Sequence, residues 1–271
     1  MYEAKMIAAT GLHNQQRRLD TIAHNVANVN TVAFKNSRLD FKDALYTAGI
    51  TPARARTPEG NQQKGHGVMT AGITKDFVMG SLQTTDRQLD FAIEGEGFFA
   101  LRNATGETIY TRNGSFNLSV EEGGDGDVGE SGVYIVNGNG YYVLDTNGNR
   151  IMVPAFTESI SVRSDGNITF KAGGEELPGE DEDPIILGLY TFRNLMGLLS
   201  IGDSNYAESV ASDVAVPAEG ASIRQGVLEM SNVSLADEMT RMIRTQRAFS
   251  LASRALTTAD EMEGIANNMR R

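Results

Sequence analysis

The chain has 271 residues, with 35 acidic and 24 basic side chains, a net charge of −11 and no cysteine. The lack of cysteine excludes disulfides, thiolate metal ligands and cysteine nucleophiles, and the acidic balance argues against binding to nucleic acid or an anionic membrane. No apolar run approaches the ~20 residues of a membrane helix, so we expect no membrane insertion. The first residues lack an unbroken apolar core and a small-residue cleavage site, so we expect no cleavable signal peptide.

The charge is concentrated in the middle of the chain. Residues 90–183 carry 18 acidic and 5 basic groups, whereas residues 1–58 and 235–271 are each mildly basic. Most of the glycine lies in the same middle part, and glycine weakens helix interiors and enables turns. The sequence therefore predicts an α+β protein with helical ends and a central all-β region.

Both ends of the chain have helical periodicity. In the first 30 residues, apolar or small side chains recur at steps of three and four, which predicts a helix over about 3–29 with a polar opposite face that includes Asn14 and Asn25. The last segment repeats the pattern from Leu235 onwards, and Ser234 with Asp237 three residues later predicts its N-cap. We expect the two helices to pack as a coiled-coil-like pair.

The C-terminal apolar stripe is wider than one partner helix needs, because it includes Met239, Met242, Ile243 and Phe249. One interpretation is a helical cap buried on the β region. The other is that neighbouring copies of the chain complete the burial, in which case the termini become ordered only on assembly.

The middle of the chain predicts short antiparallel strands in a sandwich or barrel. Two turns stand out: a hairpin turn at 94–97, and the tight-turn dipeptide at 113–114. Two acidic loops are expected at 121–131 and 173–184. The predicted strands are 89–93, 98–102, 108–112, 115–120, 133–136, 141–144, 151–156, 160–162, 168–172 and 185–192.

Three domains follow from this layout. Residues 1–30 and 232–271 are expected to form a terminal helical assembly domain. Residues 31–75, which are polar with weak periodicity, are expected to form an extended connector that returns alongside 200–231. Residues 76–199 are expected to form a β-rich outer domain.

The sequence predicts no catalytic residue, no metal site and no cofactor. His13 and His24 lie three helical turns apart, too far to hold one ion, and no G-x-S-x-G motif is present. Gly95 and Gly97 lack the third glycine and the following helix of a phosphate-binding loop. The acidic loops are expected to be solvated surface.

Three segments resemble the flagellar basal-body rod and hook protein family, in the family's order along the chain. The first centres on 9–46, the second on 89–118 and the third on 223–262. In the first segment the matching residues are Leu19, Ile22, Asn25, Ala27, Asn28, Thr31, Phe34 and Lys35. In the second, the family β motif, they are Gly95, Gly97, Phe98, Phe99, Tyr110, Thr111, Arg112, Gly114 and Phe116. In the third they include Gln225, Gly226, Leu228, Glu229, Ser231, Asn232, Val233, Glu238, Met239, Ile243, Gln246, Arg247, Ala248, Thr258 and Asp260.

The resemblance implies a structural subunit that polymerises helically and transmits motor torque, with terminal helices inside the tube and the β domain outside. The implied partners are other copies of the chain, other rod and hook proteins and the flagellar type III export apparatus. The implied location is the basal body, outside the cytoplasmic membrane. The expected assembly residues are Leu12, Leu19, Ile22, Asn25, Val26, Asn28, Phe34, Leu235, Met239, Ile243, Gln246, Phe249, Leu256 and Met262.

Within the family, the polar insertion at 47–68 resembles that of the distal rod type. The acidic loops are longer than that type implies, so a proximal rod or hook paralogue stays open. An alternative outside this structural class is a β-domain protein that binds or hydrolyses the cell wall. A wall hydrolase needs a pair of carboxylates in a cleft, and the acidic residues of the β region fall in loops.

Overall fold

The computed structural model describes residues 2–44, 46–48, 63–65, 67–121, 132–154, 156–178, 183–218 and 220–269. Helix α1 spans Tyr2–Ala27 and helix α2 spans Leu235–Met269. The strands between them are β1 (Ser37–Asp43), β2 (Tyr46–Ala48), β3 (Gln63–Gly65), β4 (Val68–Lys75), β5 (Leu82–Thr84), β6 (Phe91–Glu94), β7 (Phe98–Arg102), β8 (Thr108–Thr111), β9 (Phe116–Glu121), β10 (Gly132–Asn137), β11 (Tyr142–Val143), β12 (Met152–Val153), β13 (Thr157–Val162), β14 (Asn167–Ala172), β15 (Glu175–Leu177), β16 (Ile185–Ile186), β17 (Leu189–Thr191), β18 (Leu199–Gly202), β19 (Asn205–Ala207), β20 (Val216–Pro217), β21 (Ser222–Gln225) and β22 (Val227–Glu229).

The N-terminal helix, the central antiparallel β region and the C-terminal helix confirm the predicted order of elements. The chain divides into two units. The helical unit comprises Met1–Asn28, Asn36–Asp76 and Val233–Arg271, and the β unit comprises Val29–Lys35 and Phe77–Asn232. Within the described residues, neither helix contains a stretch that is both long and apolar enough to cross a membrane.

In the helical unit, part of the segment predicted as an extended connector is an antiparallel ladder. Strands β1 and β4 pair from Ser37 with Lys75 to Asp43 with Val68, and the register shifts between Asp40 and Phe41. A bulge of this kind moves the side-chain alternation out of phase. The shift interrupts the alternation of side chains within β4.

The β unit has its core around strand β7. Phe98 and Ala100 belong to an aromatic cluster with Tyr110, Phe192 and Tyr206. The alternate residues Phe99 and Leu101 belong to a larger, mainly aliphatic cluster. Because both faces of β7 are buried, its sequence is a continuous apolar run rather than an alternating one.

The described strands of the β unit form a larger sheet, a smaller sheet and two two-stranded pairs, β21 with β6 and β22 with β5. The larger sheet has the order β12-β10-β11-β7-β8-β19-β18, with β9, β17 and β20 attached beside this path. The smaller one has the order β13-β14-β15, with β16 on β14. Strand β15 lies in the segment predicted as an acidic loop at 173–184, and most of the other acidic loop, 122–131, lies outside the described residues.

The prediction of one long strand at 185–192 is wrong. The segment contains β16 in the smaller sheet and β17 in the larger one, separated at Leu187 and Gly188. A Cβ atom at Gly188 would lie 2.7 Å from the carbonyl oxygen of Asp145. The glycine is therefore needed for a close backbone approach at the point where the chain changes sheets.

The prediction of a hairpin at 94–97 is also wrong. The chain does turn there, with Gly95 at φ +111°, but β6 pairs with β21 whereas β7 pairs with β8.

The dipeptide at 113–114 likewise lies between strands with different partners, since β8 pairs with β7 and β9 with β10. A Cβ atom at Gly114 would lie 1.9 Å from the carbonyl oxygen of Phe91, so this glycine permits a backbone contact.

Candidate assembly interface

Helix α1 is attached to the β1–β4 ladder by two buried asparagines. The side-chain amide of Asn25 exchanges two hydrogen bonds with the backbone of Ser37: Nδ2 donates to the carbonyl at 2.8 Å, and Oδ1 accepts from the N–H at 3.0 Å. Three helical turns earlier, Asn14 Nδ2 donates to the carbonyl of Val68 at 2.6 Å, and Asn14 Oδ1 accepts from Thr70 Oγ1. Both asparagines were expected on a polar face of the helix, but each is buried against the ladder.

Helices α1 and α2 contact each other in antiparallel directions. Near one end, Asn25 Nδ2 lies 3.4 Å from Glu238 Oε2. Near the other end, Lys5 Nζ pairs with Asp260 at 2.5 Å and with Glu263. Side-chain hydrogen bonds to these two carboxylates raise the pKa of Lys5.

The start of α2 matches the predicted cap. The Asp237 N–H lies 3.4 Å from Ser234 Oγ, and the Glu238 N–H donates to the Ser234 carbonyl at 3.0 Å. Asp237 and Glu238 lie in the first turn, where negative charge is favoured by the helix dipole.

The C-terminal half of α2 carries two parallel series of side chains, each with alternating steps of three and four. The first series, the inner seam, is half-buried, and its Glu263 pairs with Lys5 of α1. The second series, the outer seam, is exposed along its whole length. The inner seam is Phe249, Ala252, Leu256, Ala259, Glu263 and Ala266, and the outer seam is Leu251, Ala255, Thr258, Met262, Ile265 and Met269.

From Leu251 to Ile265, each outer-seam residue comes one position before an inner-seam residue. Because one residue turns the helix by about 100°, the outer seam lies on a neighbouring face of α2. Leu251 is 66% exposed and Ile265 is 57% exposed. The remaining positions from Ser250 onwards are polar or glycine. A stripe of this length and regularity differs from scattered surface apolar residues, which need no explanation.

The expected assembly residues fall into three groups. Within the described chain, the buried ones are Ile22, Asn25 and Phe34; the half-buried ones are Leu12, Leu19, Val26, Asn28, Phe249 and Leu256; the exposed ones are Leu235, Met239, Ile243, Gln246 and Met262. Phe34 belongs to the β unit and the others to the helical unit. The single apolar stripe predicted on α2 therefore contains two kinds of residue. Phe249 and Leu256 are half-buried, whereas Met239, Ile243 and Met262 are exposed.

The family β motif surrounds a buried ion cluster in the β unit. Glu229 accepts from Lys35 Nζ at 2.6 Å through Oε1 and from Arg112 Nε at 2.9 Å through Oε2. Arg112 Nη2 also donates to the carbonyl of Gly95 at 3.0 Å, and its guanidinium lies over the Phe98 ring. We call Lys35, Arg112 and Glu229 the ion cluster.

The charges of the ion cluster determine the ionisation of its carboxylate. Burial is the largest influence and acts to raise the pKa of Glu229, but Arg112, Lys35 and the Gly80 N–H together lower that pKa below its ordinary 4.5. A different motif residue shows the opposite direction. Burial, followed by the hydrogen bond to Glu208, raises the pKa of Tyr110 well above its ordinary 10.

The sequence alone assigned no role to several of these residues. Lys35 and Glu229 match the family pattern, but their convergence depends on segments far apart in the chain. The outer seam could have been found from the sequence, because Leu251 and Ile265 belong to a second series with steps of three and four that runs one position before the first.

Two terminal helices that share one unit, with a long apolar stripe left exposed, are typical of a structural assembly protein rather than of an enzyme. Comparison with known families agrees. Residues 6–35 match the model "Flagella basal body rod protein", residues 92–170 match "Flagellar hook protein FlgE/F/G D1 domain", and residues 224–269 match "Flagellar basal body rod FlgEFG protein C-terminal". The chain belongs to the flagellar basal-body rod and hook protein family, and it is a structural rod protein of the flagellum.

Individual relatives are similar over their full length. The chain is 38% identical to flagellar basal-body rod protein FlgG of Borreliella burgdorferi, with 100% of both chains covered. It is also 38% identical to FlgG of Bacillus subtilis, with 97% of each chain covered. It is 29% identical to flagellar hook-basal body complex protein FlhP of Bacillus subtilis, with 100% of both chains covered. These relatives confirm the resemblance to the rod family and, within it, to the distal rod type, and they confirm that the chain is not an enzyme.

Proposed function

We propose that the chain forms a helical polymer with copies of itself in the distal rod, and that this polymer transmits motor torque to the hook. The terminal segments 1–30 and 232–271 act as its assembly domain, with α1 and α2 packed as a coiled-coil-like pair along the inner seam. The relatives named as rod proteins support the location in the basal body.

The outer seam is the observation that carries this proposal. Its alternating steps of three and four match the spacing by which one helix packs against another. Its lining is apolar apart from Thr258, so burying it removes little hydrogen-bonding surface from water. A contact of this kind that is not related by a two-fold axis repeats from copy to copy, and it produces a helical filament when the rotation does not close into a ring.

A second copy of this chain is the occupant that fits the outer seam. The inner seam of α2 is already engaged with α1, so the next helix must approach from the uncovered side. Assembly through one exposed face and one different face of a neighbour gives every subunit the same surroundings, as rods and tubes require.

Replacing Ile265 with Asp tests the proposal. The Ile265→Asp chain should keep its helix content, because the residue is exposed in the single chain. Its polymerisation should require on the order of tenfold more protein or more, since a charge would be buried within the contact. Sedimentation of purified protein and swimming of complemented cells measure the two effects.

The matched control is Asn268→Asp, which places the same charge one turn away on the polar side of α2. This variant should polymerise and support swimming as the unaltered chain does. Normal polymerisation of Ile265→Asp would overturn the assignment of the outer seam.

The other proposed partners follow from the family. They are the neighbouring rod and hook proteins and the flagellar type III export apparatus, which would carry the chain across the cytoplasmic membrane without a cleavable signal peptide. Deleting the gene and imaging the basal body tests the distal position. A basal body that keeps its proximal rod but lacks the distal rod is the expected result, and an intact rod with a missing hook would favour a hook paralogue instead.

A further inference from the structure

The ion cluster lies in the β unit and joins segments next to three of the points at which the chain passes between its two units. The chain passes between its two units after residues 28, 35, 76 and 232. Lys35 is the last residue of the short segment 29–35, and Glu229 lies three residues before the end of the β unit. Val78 and Gly80, which also contact the cluster, lie two and four residues after residue 76, where the chain re-enters the β unit.

The hydrogen bonds of the cluster join these segments to one another. Lys35 Nζ donates to the Val78 carbonyl at 2.8 Å as well as to Glu229. The Gly80 N–H donates to Glu229 Oε1 at 2.8 Å. The three segments 29–35, 77–80 and 229–232 therefore meet at one carboxylate, which is fully buried.

Backbone contacts reinforce the same junction. The Ala33 N–H donates to the Glu229 carbonyl at 2.8 Å, and the Asn232 N–H donates to the Phe34 carbonyl at 3.3 Å. A Cβ atom at Gly80 would lie 2.0 Å from the Met230 carbonyl oxygen, so the two segments approach as closely as glycine allows. Arg112 fixes the cluster to strand β8 and, through Gly95, to the turn after β6.

We propose that Lys35, Arg112 and Glu229 are positioning residues that clamp the exit segments of the β unit together, so that the chain resists twisting where load enters and leaves this unit. A cluster that served only to stabilise the core would need no link to the exit segments. Here the Glu229 carboxylate accepts hydrogen bonds from Lys35 and Gly80, which lie in two of these segments, and Glu229 itself lies in the third. The mechanical part of this inference rests on the proposed function of the chain as a torque-bearing subunit.

Replacing Lys35 with Met tests the clamp. Methionine keeps much of the side-chain volume, and Glu229 remains paired with Arg112 and with the Gly80 N–H. In the purified full chain, the amides of Ala33, Gly80 and Asn232 should exchange with solvent on the order of a hundredfold faster, while amides of β7 and β10 keep their protection. The control is Arg224→Met, which breaks an exposed ion pair with Glu94 and should change none of these amides.

The pattern of exchange distinguishes a clamp from general stability. Unchanged exchange at Ala33 and Gly80, or an equal increase across the whole β unit, would overturn the clamp. If Lys35→Met does not fold, native-state exchange of the unaltered chain in mild denaturant serves as the test. The amides of Ala33, Gly80 and Asn232 must then open together as one unit, and separate opening would overturn the clamp.

The mechanical part has its own readout in cells. Cells with Lys35→Met should assemble rods and swim normally in dilute medium, but should lose speed more steeply than the unaltered strain as viscosity is raised. Equal loss of speed would overturn the load-bearing role even if the exchange pattern is as expected. Cells with Ile265→Asp should instead assemble fewer rods at every viscosity, because the assembly surface of the proposed function is altered, so failure of the clamp and failure of the proposed function are distinguishable.

Discussion

At the scale of single residues, the buried polar side chains of this protein join segments that are distant in sequence. Asn25 satisfies both backbone groups of Ser37, and Glu229 satisfies two cations and a backbone N–H. A buried polar group is costly when it loses its partner, so each such contact is specific to one arrangement of the chain. The presence of Asn25, Lys35 and Glu229 in the family motifs is therefore explained by the contacts that these side chains make in the fold.

Glu229→Gln should lower the free energy of unfolding at pH 7 by about 3 kcal/mol, because it leaves two buried cations without their counter-charge. The pKa of Glu229 is lower in the folded chain than its ordinary 4.5. Its charged form therefore contributes stability above that pH, and this contribution is lost as the pH falls through the folded-state value. The difference between the two proteins in urea unfolding should shrink below about pH 4.5.

The control for this prediction is Glu94→Gln, which removes the carboxylate of an exposed ion pair with Arg224. Its free energy of unfolding should stay within about 0.5 kcal/mol of the unaltered chain at each pH. A Glu229→Gln difference that stays constant down to pH 3 would contradict the assigned role of the carboxylate.

At the scale of elements, α1 is held by polar side-chain contacts on one side and by packing against α2 on another. One side is attached to the β1–β4 ladder through Asn14 and Asn25, and another contacts α2. The polar side carries no apolar periodicity, so a sequence pattern assigns it to solvent. The ladder therefore determines the position of the helix in a way that hydrophobic spacing does not reveal.

Asn25→Leu should destabilise the helical unit by about 3 kcal/mol, because the N–H and the carbonyl of Ser37 are both left without their partner in a buried site. Urea unfolding followed by the helical circular-dichroism signal measures the change. Gln16→Leu on the exposed side of α1 is the matched substitution and should shift the free energy of unfolding by less than about 0.5 kcal/mol. Equal effects of the two substitutions would contradict the attachment through Asn25.

Local sequence predicted some elements well and others poorly. Strand β7 was predicted with its observed ends because an apolar run between two turns carries its own boundaries. The strand at 185–192 was wrong because Gly188 lets the chain change sheets in the middle of an apolar run. The ion cluster could not be predicted as a site, since it depends on the approach of four chain segments rather than on any local pattern.

At the scale of the whole molecule, the dilute monomer should be ordered unevenly along α1. If neighbouring copies complete the burial, the sequence predicts termini that become ordered only on assembly, and the two asparagine attachments restrict this prediction to the first part of α1. We expect amides of residues 5–12, next to the exposed Met6 and Ile7, to exchange rapidly, and those of residues 14–27 to be protected. Hydrogen exchange at concentrations below polymerisation measures the difference.

Two outcomes would bear on this prediction in opposite ways. Protection of residues 5–12 equal to that of strand β7 would contradict ordering on assembly. Loss of protection over 14–27 in the Asn25→Leu chain would support the asparagine attachment as its cause.

The pairing of Lys5 with Asp260 and Glu263 also has a consequence for the timing of folding. These residues lie near opposite ends of the chain, so the last part of the polypeptide must be present before the first part gains its partner. Closing so long a loop is slow compared with local folding. The β unit can therefore fold early, whereas the proposed assembly surface is completed last, once both terminal helices are present.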